Sequence, residues 1–369
     1  MSAPTPTSIE EQHLILQLRN AVTGASEAEQ HYLSADFNLL RWIRGFDGNI
    51  EVIIPKLRYH LTYLRSLHLG DIQDPSYIDK YSTVAQDYLP FGITGVDKTG
   101  LFVIFETIGR IDPRGIIKSC RISELIRRRV EDSEYVLRLM QRREAKECVQ
   151  SGLFLILDVE GLSMDQLWMP GMNAYIQVLT VIQDHYPEML QRLFVIKAPK
   201  IVNVAFNMVK PFLAKRTKEK IEFVGSDWKQ RLSDLIDGDQ YPQYWGGNQF
   251  GPNGEYGSVK LARTVPKDLY FSDWPDQDFI DSVTEIDVSR GSTEEVTVQV
   301  TKPGTRLHWW LTVNSHDIGF GVDRCLSNDA TSRQSVIPTW RLCCEFVPEF
   351  GSVVCEEPGT YSSFDAIPV

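Results

Sequence analysis

Long apolar runs are absent from this chain of 369 residues. The longest, such as Leu153 to Leu157, fall far short of the roughly 20 residues that a membrane-spanning helix needs. Positive charge is also scarce. With 38 Lys and Arg against 49 Asp and Glu, the formal charge is −11, so phosphate backbones should repel the molecule as a whole. No nucleic-acid partner is expected, and any anion must be met by a local patch. The six cysteines contain no C-x-x-C pair and read as reduced thiols, and no metal is expected. No Asn-x-Ser/Thr sequon occurs, and Met1 to Thr7 has neither a basic region nor an apolar core to mark export. These absences point to a cytoplasmic protein that touches membranes only transiently.

Catalytic signatures are missing as well. The sequence has no G-x-x-x-x-G-K-S/T, no H-E-x-x-H, no G-x-S-x-G and no G-x-G-x-x-G opening a helix after a strand. The seven histidines are scattered. His185 stands out, before Tyr186-Pro187-Glu188, yet a lone His ending an amphipathic helix reads more readily as a surface or cap residue than as a base. No catalytic residue and no cofactor are expected.

What is present is a sequence of three textures, which agrees with two or three domains at about 150 residues each. Residues 9–67 read as helices, because Ile50, Ile53, Ile54, Leu57, Leu61 and Leu64 recur at helical spacing, with Ser34 or Asp36 available to cap the helix bearing Leu39, Leu40 and Ile43. From 99 to 225, short apolar runs at Leu101–Phe105, Leu153–Val159, Leu193–Ile196 and Ile221–Val224 alternate with helical stretches. That alternation predicts a parallel sheet covered by helices. After 280 the pattern turns to period two: Val283, Ile286 and Val288, then Val296, Val298 and Val300, then Leu307, Trp309 and Leu311. An antiparallel sandwich is expected there, with Trp309, Trp310 and Phe320 in its core. The overall class is α/β.

Charge is unevenly shared. Residues 192–220 hold eight basic groups against Glu219 alone, whereas 260–369 hold nine basic against seventeen acidic. Within the basic segment, Ile201, Val204, Ala205, Met208, Val209, Phe212 and Leu213 form an apolar stripe at helical spacing. A helix packing one face on the sheet accounts for the stripe; apolar surface beside a basic cluster also suits a lipid interface.

Together these residues resemble the CRAL-TRIO lipid-binding family. The resemblance rests on Leu157-Asp158-Val159-Glu160-Gly161-Leu162, Leu167-Trp168, Tyr186-Pro187-Glu188, Arg192 to Ile196, Ala198-Pro199, Lys210-Pro211-Phe212-Leu213 and Tyr244-Trp245-Gly246-Gly247, in that order. Gly109 to Gly115 looks like the way into the same domain, and Leu39 to Arg44 is similar to the family's helical N-terminal lobe. Further on, Ile286 to Gly291, Trp309, Asp317 to Gly321 and Pro358 to Tyr361 resemble a GOLD domain, a pairing similar to the animal proteins of the tocopherol-associated type.

The resemblance implies a tail at 1–8, a helical lobe at 9–75, a CRAL-TRIO domain at 76–247, a linker at 248–272 and a GOLD β-sandwich at 273–369. It implies an apolar cavity holding a hydrophobic lipid ligand, phosphatidylinositol or tocopherol-like, under a mobile gate helix at 201–213. Phe154, Ile156, Val204, Met208 and Phe212 are the expected cavity and gate residues. Glu188, Thr217 and Lys220 match the positions that hold an inositol phosphate in phosphoinositide-binding members. Lys supplies charge, Thr a hydroxyl, and Glu accepts from sugar hydroxyls. The GOLD domain implies a protein partner in membrane traffic, and a trafficking adaptor with a vestigial lipid site is the alternative function. Two departures stand out: Arg44-Gly45-Phe46-Asp47 is shorter than the family pattern, and Leu153 to Leu157 lacks the hydroxyls that phosphatidylcholine-exchanging relatives place there. At the C-terminus, Ser362 onward departs from the pattern, so the last strand of the sandwich is expected to be missing.

Overall fold

A computed structural model describes residues 7–23, 26–69, 82–326 and 332–366, with side chains described through 363. Four helices make the N-terminal lobe: α1 (Ile9–Ala21), α2 (Glu27–Ser34), α3 (Asp36–Gly45) and α4 (Ile50–Ser66). Ser8, assigned above to a tail, caps α1 in a reciprocal pairing with Glu11. The N-cap of α3 is Ala35, without a side-chain bond, so neither Ser34 nor Asp36 caps it. Leu39, Leu40, Trp42 and Ile43 are nonetheless buried, and burial holds this helix in place. The expected boundary at 75 lies outside the described residues.

The middle domain continues with α5 (Thr83–Asp87), β1 (Gly92–Val96), β2 (Phe102–Glu106), α6 (Pro113–Ile117), α7 (Ile122–Glu147), β3 (Leu153–Asp158), α8 (Met169–His185), β4 (Leu190–Ile196), α9 (Val202–Val209), α10 (Lys215–Glu219), β5 (Ile221–Phe223) and α11 (Trp228–Leu235). The sheet order is β1-β2-β3-β4-β5, with β2 to β5 parallel and β1 antiparallel at one edge. In register, Ile104, Leu155, Leu193 and Ile221 form one row across four strands, and Glu106, Leu157 and Val195 lie in the row two residues further on. Side chains alternate along a strand, so the rows between face the other way.

That other face carries a closed core. Phe105, Phe154, Ile156, Phe194 and Trp245 are all almost completely buried there. The sequence motifs around Asp158 and Tyr244-Trp245 meet at its edge. Trp245 Nε1 donates to Asp158 Oδ2 at 2.9 Å, Lys197 Nζ lies 3.0 Å from Asp158, and Tyr244 donates to Glu160 at 2.8 Å. These motif residues tie the segment after α11 to the sheet. Gly247 is required at that join, since a Cβ would sit 2.0 Å from the Tyr241 carbonyl oxygen. The expected linker at 248–272 is instead packed: Val259, Ala262 and Val265 are buried and Lys260 bridges to Phe91. Apolar residues too widely spaced to show a period make that strap.

The lobe is anchored to the middle domain by a buried ion pair, Arg41 with Glu144 at the end of α7; the Arg41 guanidinium also donates to the Ser151 carbonyl at 3.2 Å.

The C-terminal region begins with α12 (Gln277–Ser282), and no strand forms at Val283, Ile286 and Val288, which are expected above to alternate in one. Val283 and Ile286 are exposed there, because no neighbouring strand supplies a ladder. Six strands follow: β6 (Thr293–Val300), β7 (Thr305–Leu311), β8 (Ile318–Cys325), β9 (Arg333–Leu342), β10 (Glu349–Cys355) and β11 (Gly359–Ala366). They form an antiparallel four-stranded sheet, β6-β11-β8-β9, and a two-stranded sheet, β10-β7. Residues 359–366, expected above to lack a final strand, make one that pairs with β6 on one side and β8 on the other. The polar residues Ser362 and Ser363 hide this strand from an apolar pattern search. Phe320 is buried as expected and packs on Trp309, whereas Trp310 meets Phe279 of α12.

Candidate functional site

On the front of the parallel sheet, α7, α8 and α9 stand off the strands and leave a cavity of about 1160 Å³. Its size exceeds the roughly 300–1000 Å³ of ordinary small-molecule sites. Leu153, Leu155 and Leu157 of β3 line it, with Ile104 of β2, Leu193 and Val195 of β4, and Ile221 of β5. Phe154 and Ile156, expected to be cavity residues, are 0% exposed on the opposite face. The strand period of two places every second residue in the cavity, and the expectation took the wrong set.

The roof differs from expectation in the same way. Val202, Ala205, Phe206 and Val209 of α9 face the cavity, at i, i+3, i+4 and i+7. Val204 is 46% exposed, and neither it nor Met208 is among the lining residues. The helix is apolar on nearly all sides, so its spacing alone did not determine the inward face. Phe212 does line the cavity, at a rim where it is half exposed. The roof is fastened to α8 by Gln183, whose Nε2 donates to the Phe212 carbonyl at 3.1 Å and whose Oε1 accepts from the Ala214 amide at 2.7 Å. Phe206 also packs edge-on against Phe223.

Glu188, Thr217 and Lys220 are brought together at one end of the cavity, where the lining residues Asp47, Lys215 and Glu219 are exposed and mark an opening. Lys220 Nζ lies 2.9 Å from Glu188 Oε2 and donates to the Leu190 carbonyl at 2.6 Å. Arg216 adds a second cation, 3.9 Å from Glu188 and ion-paired with Asp47 of the N-terminal lobe. Glu188 holds a left-handed backbone, with φ of 55°, a strained conformation for a non-glycine residue. Gly45 permits the close approach of the lobe here, since a Cβ would sit 2.8 Å from Pro187 Cβ. Arg44 is engaged elsewhere, by Glu11 at 2.7 Å and Gln150 at 2.6 Å.

His185 is buried away from the cavity, its Nδ1 3.2 Å from His60 Nδ1 within a cage of Tyr59, Tyr63 and Tyr186. Burial depresses both imidazoles, that of His185 to about 3.

Sequence reasoning missed a polar group set in the cavity wall. Glu106, Arg129, Asp132, Ser133 and Tyr175 line it among the aliphatic residues. Glu106 ends an otherwise apolar strand, and Arg129 lies in a helix crowded with other charges, so neither broke a pattern.

Residues 86–247, which contain the whole parallel sheet, its roof and most of the cavity lining, match the family model of the CRAL/TRIO domain. This segment is thus similar to a CRAL/TRIO domain. The chain is 26% identical over 334 residues to the CRAL-TRIO domain-containing protein F28H7.8 of Caenorhabditis elegans, covering 88% of this chain and 79% of that one. It is 26% identical over 368 residues to Protein ctg-1 of the same organism, covering 96% and 91%. The crystal structure of Sfh5 matches the fold with a TM-score of 0.50 at 16% identity, covering 66% of this chain and 89% of Sfh5. In the chain, the matched segment is preceded by the helical lobe and followed by the antiparallel strands.

Proposed function

We propose that the protein is a lipid carrier that shelters a hydrophobic molecule in the CRAL/TRIO cavity and exchanges it with membranes through the α9 roof. The observation that carries this reading is the aliphatic cavity itself. Water-exposed hydrocarbon costs about 0.8 kcal/mol per methylene, so a two-chain lipid faces a desorption barrier on the order of 20 kcal/mol. A cavity lined by Leu153, Leu155, Leu157 and Val195 replaces water as the destination. Carriage of this kind makes and breaks no bond, so it needs no nucleophile. At the opening, Lys220, Thr217 and Glu188 offer charge, hydroxyl and acceptor to a phosphorylated inositol headgroup. The exposed Val204 beside Lys200 and Lys210 suits transient contact with an anionic bilayer surface.

The C-terminal sandwich has its own role in this reading, as a GOLD-like module for a protein partner in membrane traffic. Its β6 strand leaves Val296 and Val298 exposed, which favours such a contact.

Mass spectrometry of lipid extracted from the purified native protein tests the carrier. One amphiphile at near-equimolar amount supports it. A protein that carries none, and takes none up from vesicles, refutes it.

A further inference from the structure

An aromatic surface lies on the outside of the C-terminal sandwich. Trp309 and Trp310 are consecutive in β7 and so point to opposite faces: Trp309 packs inward on Phe320, whereas Trp310 lies on the outer face, level with Phe350 of β10. Phe279 of α12 meets Trp310 with ring centroids 5.4 Å apart. Phe271 joins Phe350 to Trp274, at 6.2 Å and 5.6 Å. Arg121 of α7 stacks over Phe350 at 4.6 Å, where the patch reaches the middle domain. Trp274, Phe279 and Phe350 are exposed. These rings make one apolar patch of the composition that carries binding energy at protein interfaces. Its border is acidic. Residues 272–289 hold six Asp and Glu and no Lys or Arg, and none of those six carboxylates is ion-paired among the described residues.

We propose that this surface receives the roof region, residues 197–218, of a second copy of the chain. The complement is carried by the same molecule. Residues 197–218 hold six Lys and Arg and no Asp or Glu, and Lys200, Lys210, Lys215 and Lys218 have no ion pair among the described residues. Val204 and Phe212 stand exposed among them. Apolar anchors with a positive border meet aromatic rings with a negative border, so contact takes hydrocarbon out of water while unneutralised charges find their opposites. An anionic bilayer offers the patch no such match, because the six carboxylates repel it. A two-fold pair makes the contact twice and leaves neither surface open. The consequence, which rests on the carrier reading, concerns exchange. A paired molecule hides the α9 face that would meet a membrane, so pairing and lipid exchange compete.

Sedimentation velocity of the full chain, without lipid, tests the pairing. The expected result is a sedimentation coefficient that rises with protein concentration at about 50 mM salt, with pairing at least about tenfold weaker at about 500 mM. Asp273→Lys/Asp278→Lys and Lys200→Glu/Lys210→Glu should each stay monomeric. Their equimolar mixture should pair as the wild type does, because each reversed surface then meets its opposite, and that recovery shows both variants to be folded. A wild type that stays monomeric, variants that pair alone, or a mixture that does not pair would each overturn the assignment. Each of these results leaves the carrier standing, since no lipid enters the measurement. A monomeric wild type whose binding to phosphatidylserine vesicles is lost in Trp274→Ala/Phe279→Ala would give the rings to a bilayer and overturn it as well.

Discussion

The indole Nε1 of Trp340 donates a 3.0 Å hydrogen bond to the hydroxyl of Tyr63, joining β9 of the C-terminal sandwich to α4 of the N-terminal lobe. Both residues are buried, and Tyr63 stacks in turn on His185 at the end of α8, with ring centroids 4.0 Å apart. The sandwich therefore docks on α4, which in turn packs against the end of α8. Further contacts on that interface link Gln177 to Asp317 and Ser123 to Glu349.

Trp340→Phe keeps an aromatic ring but leaves the Tyr63 hydroxyl buried without its donor. A loss of about 1–3 kcal/mol is expected from urea denaturation. The double variant with Tyr63→Phe removes both partners and should recover part of that loss. If the double variant is as unstable as the sum of the singles, the hydrogen bond is not what couples the two regions.

Much of this was legible in the sequence because the signals were periodic. The parallel strands and the helical lobe declared themselves by spacing, and the motif residues around Asp158 and Trp245 by the family resemblance. What failed was facing. Phe154 and Leu155 are equally apolar, and only the packing of α11 and Trp245 on one side, against the stand-off of α8 and α9 on the other, decides which faces the cavity. The same holds for α9, where Val202 and Val204 exchange roles. Glu188 lies far in sequence from Thr217 and Lys220 and meets them through the β4 and β5 pairing, so only the resemblance could have named the three together. The polar group around Tyr175 had no signal, since its members come from β2, α7 and α8.

The facing rule yields a paired test on β3. Ile156→Ala opens a void in a closed core and should cost about 2–5 kcal/mol without changing ligand affinity once folded. Leu155→Trp puts bulk into the cavity and should weaken uptake of a long-chain fluorescent lipid at least about tenfold, with a smaller change in stability. Measuring urea midpoints and lipid uptake on both variants distinguishes them. The reversed pattern would mean that the even-numbered residues face the ligand.

At the opening, Lys220→Ala removes the cation nearest Glu188 and exposes that carboxylate to any incoming phosphate. Binding to vesicles containing phosphatidylinositol phosphate should fall by about 10- to 100-fold, as for loss of a charge-assisted bond worth about 1.5–3 kcal/mol. Uptake of an uncharged ligand should be unchanged. Sedimentation with vesicles read beside uncharged-ligand uptake checks both halves, and equal losses in the two would assign Lys220 to holding the Glu188 turn rather than to a headgroup.

Buried titrating groups set the pH response in opposite directions. His60 and His185 stay neutral in the folded protein, while in the unfolded chain they take up protons below about pH 6.5, so their burial costs stability as pH falls through 6.5. Glu134 and Glu349 are pushed up by burial to about 7, so the folded protein keeps protons that the unfolded chain releases above about 4.5. Their contribution is therefore lost as pH rises from 4.5 to 7. Between these limits the two pairs offset, and the wild-type urea midpoint should vary little from pH 5 to 6.5. His185→Gln removes one member, and whatever it costs in packing against Tyr63 is independent of pH. Relative to the wild type, the variant should gain stability as pH falls from 6.5 to 5, by on the order of 1 kcal/mol per unit. Glu134→Gln removes a group from the other side, so its stability difference from the wild type should run the opposite way, with the variant gaining as pH rises. Urea midpoints at pH 5, 6 and 7 decide the matter: parallel profiles for wild type and His185→Gln would mean that His185 takes up its proton in the folded protein at the same pH as in the unfolded chain, and the packed imidazole pair would then need a counterion.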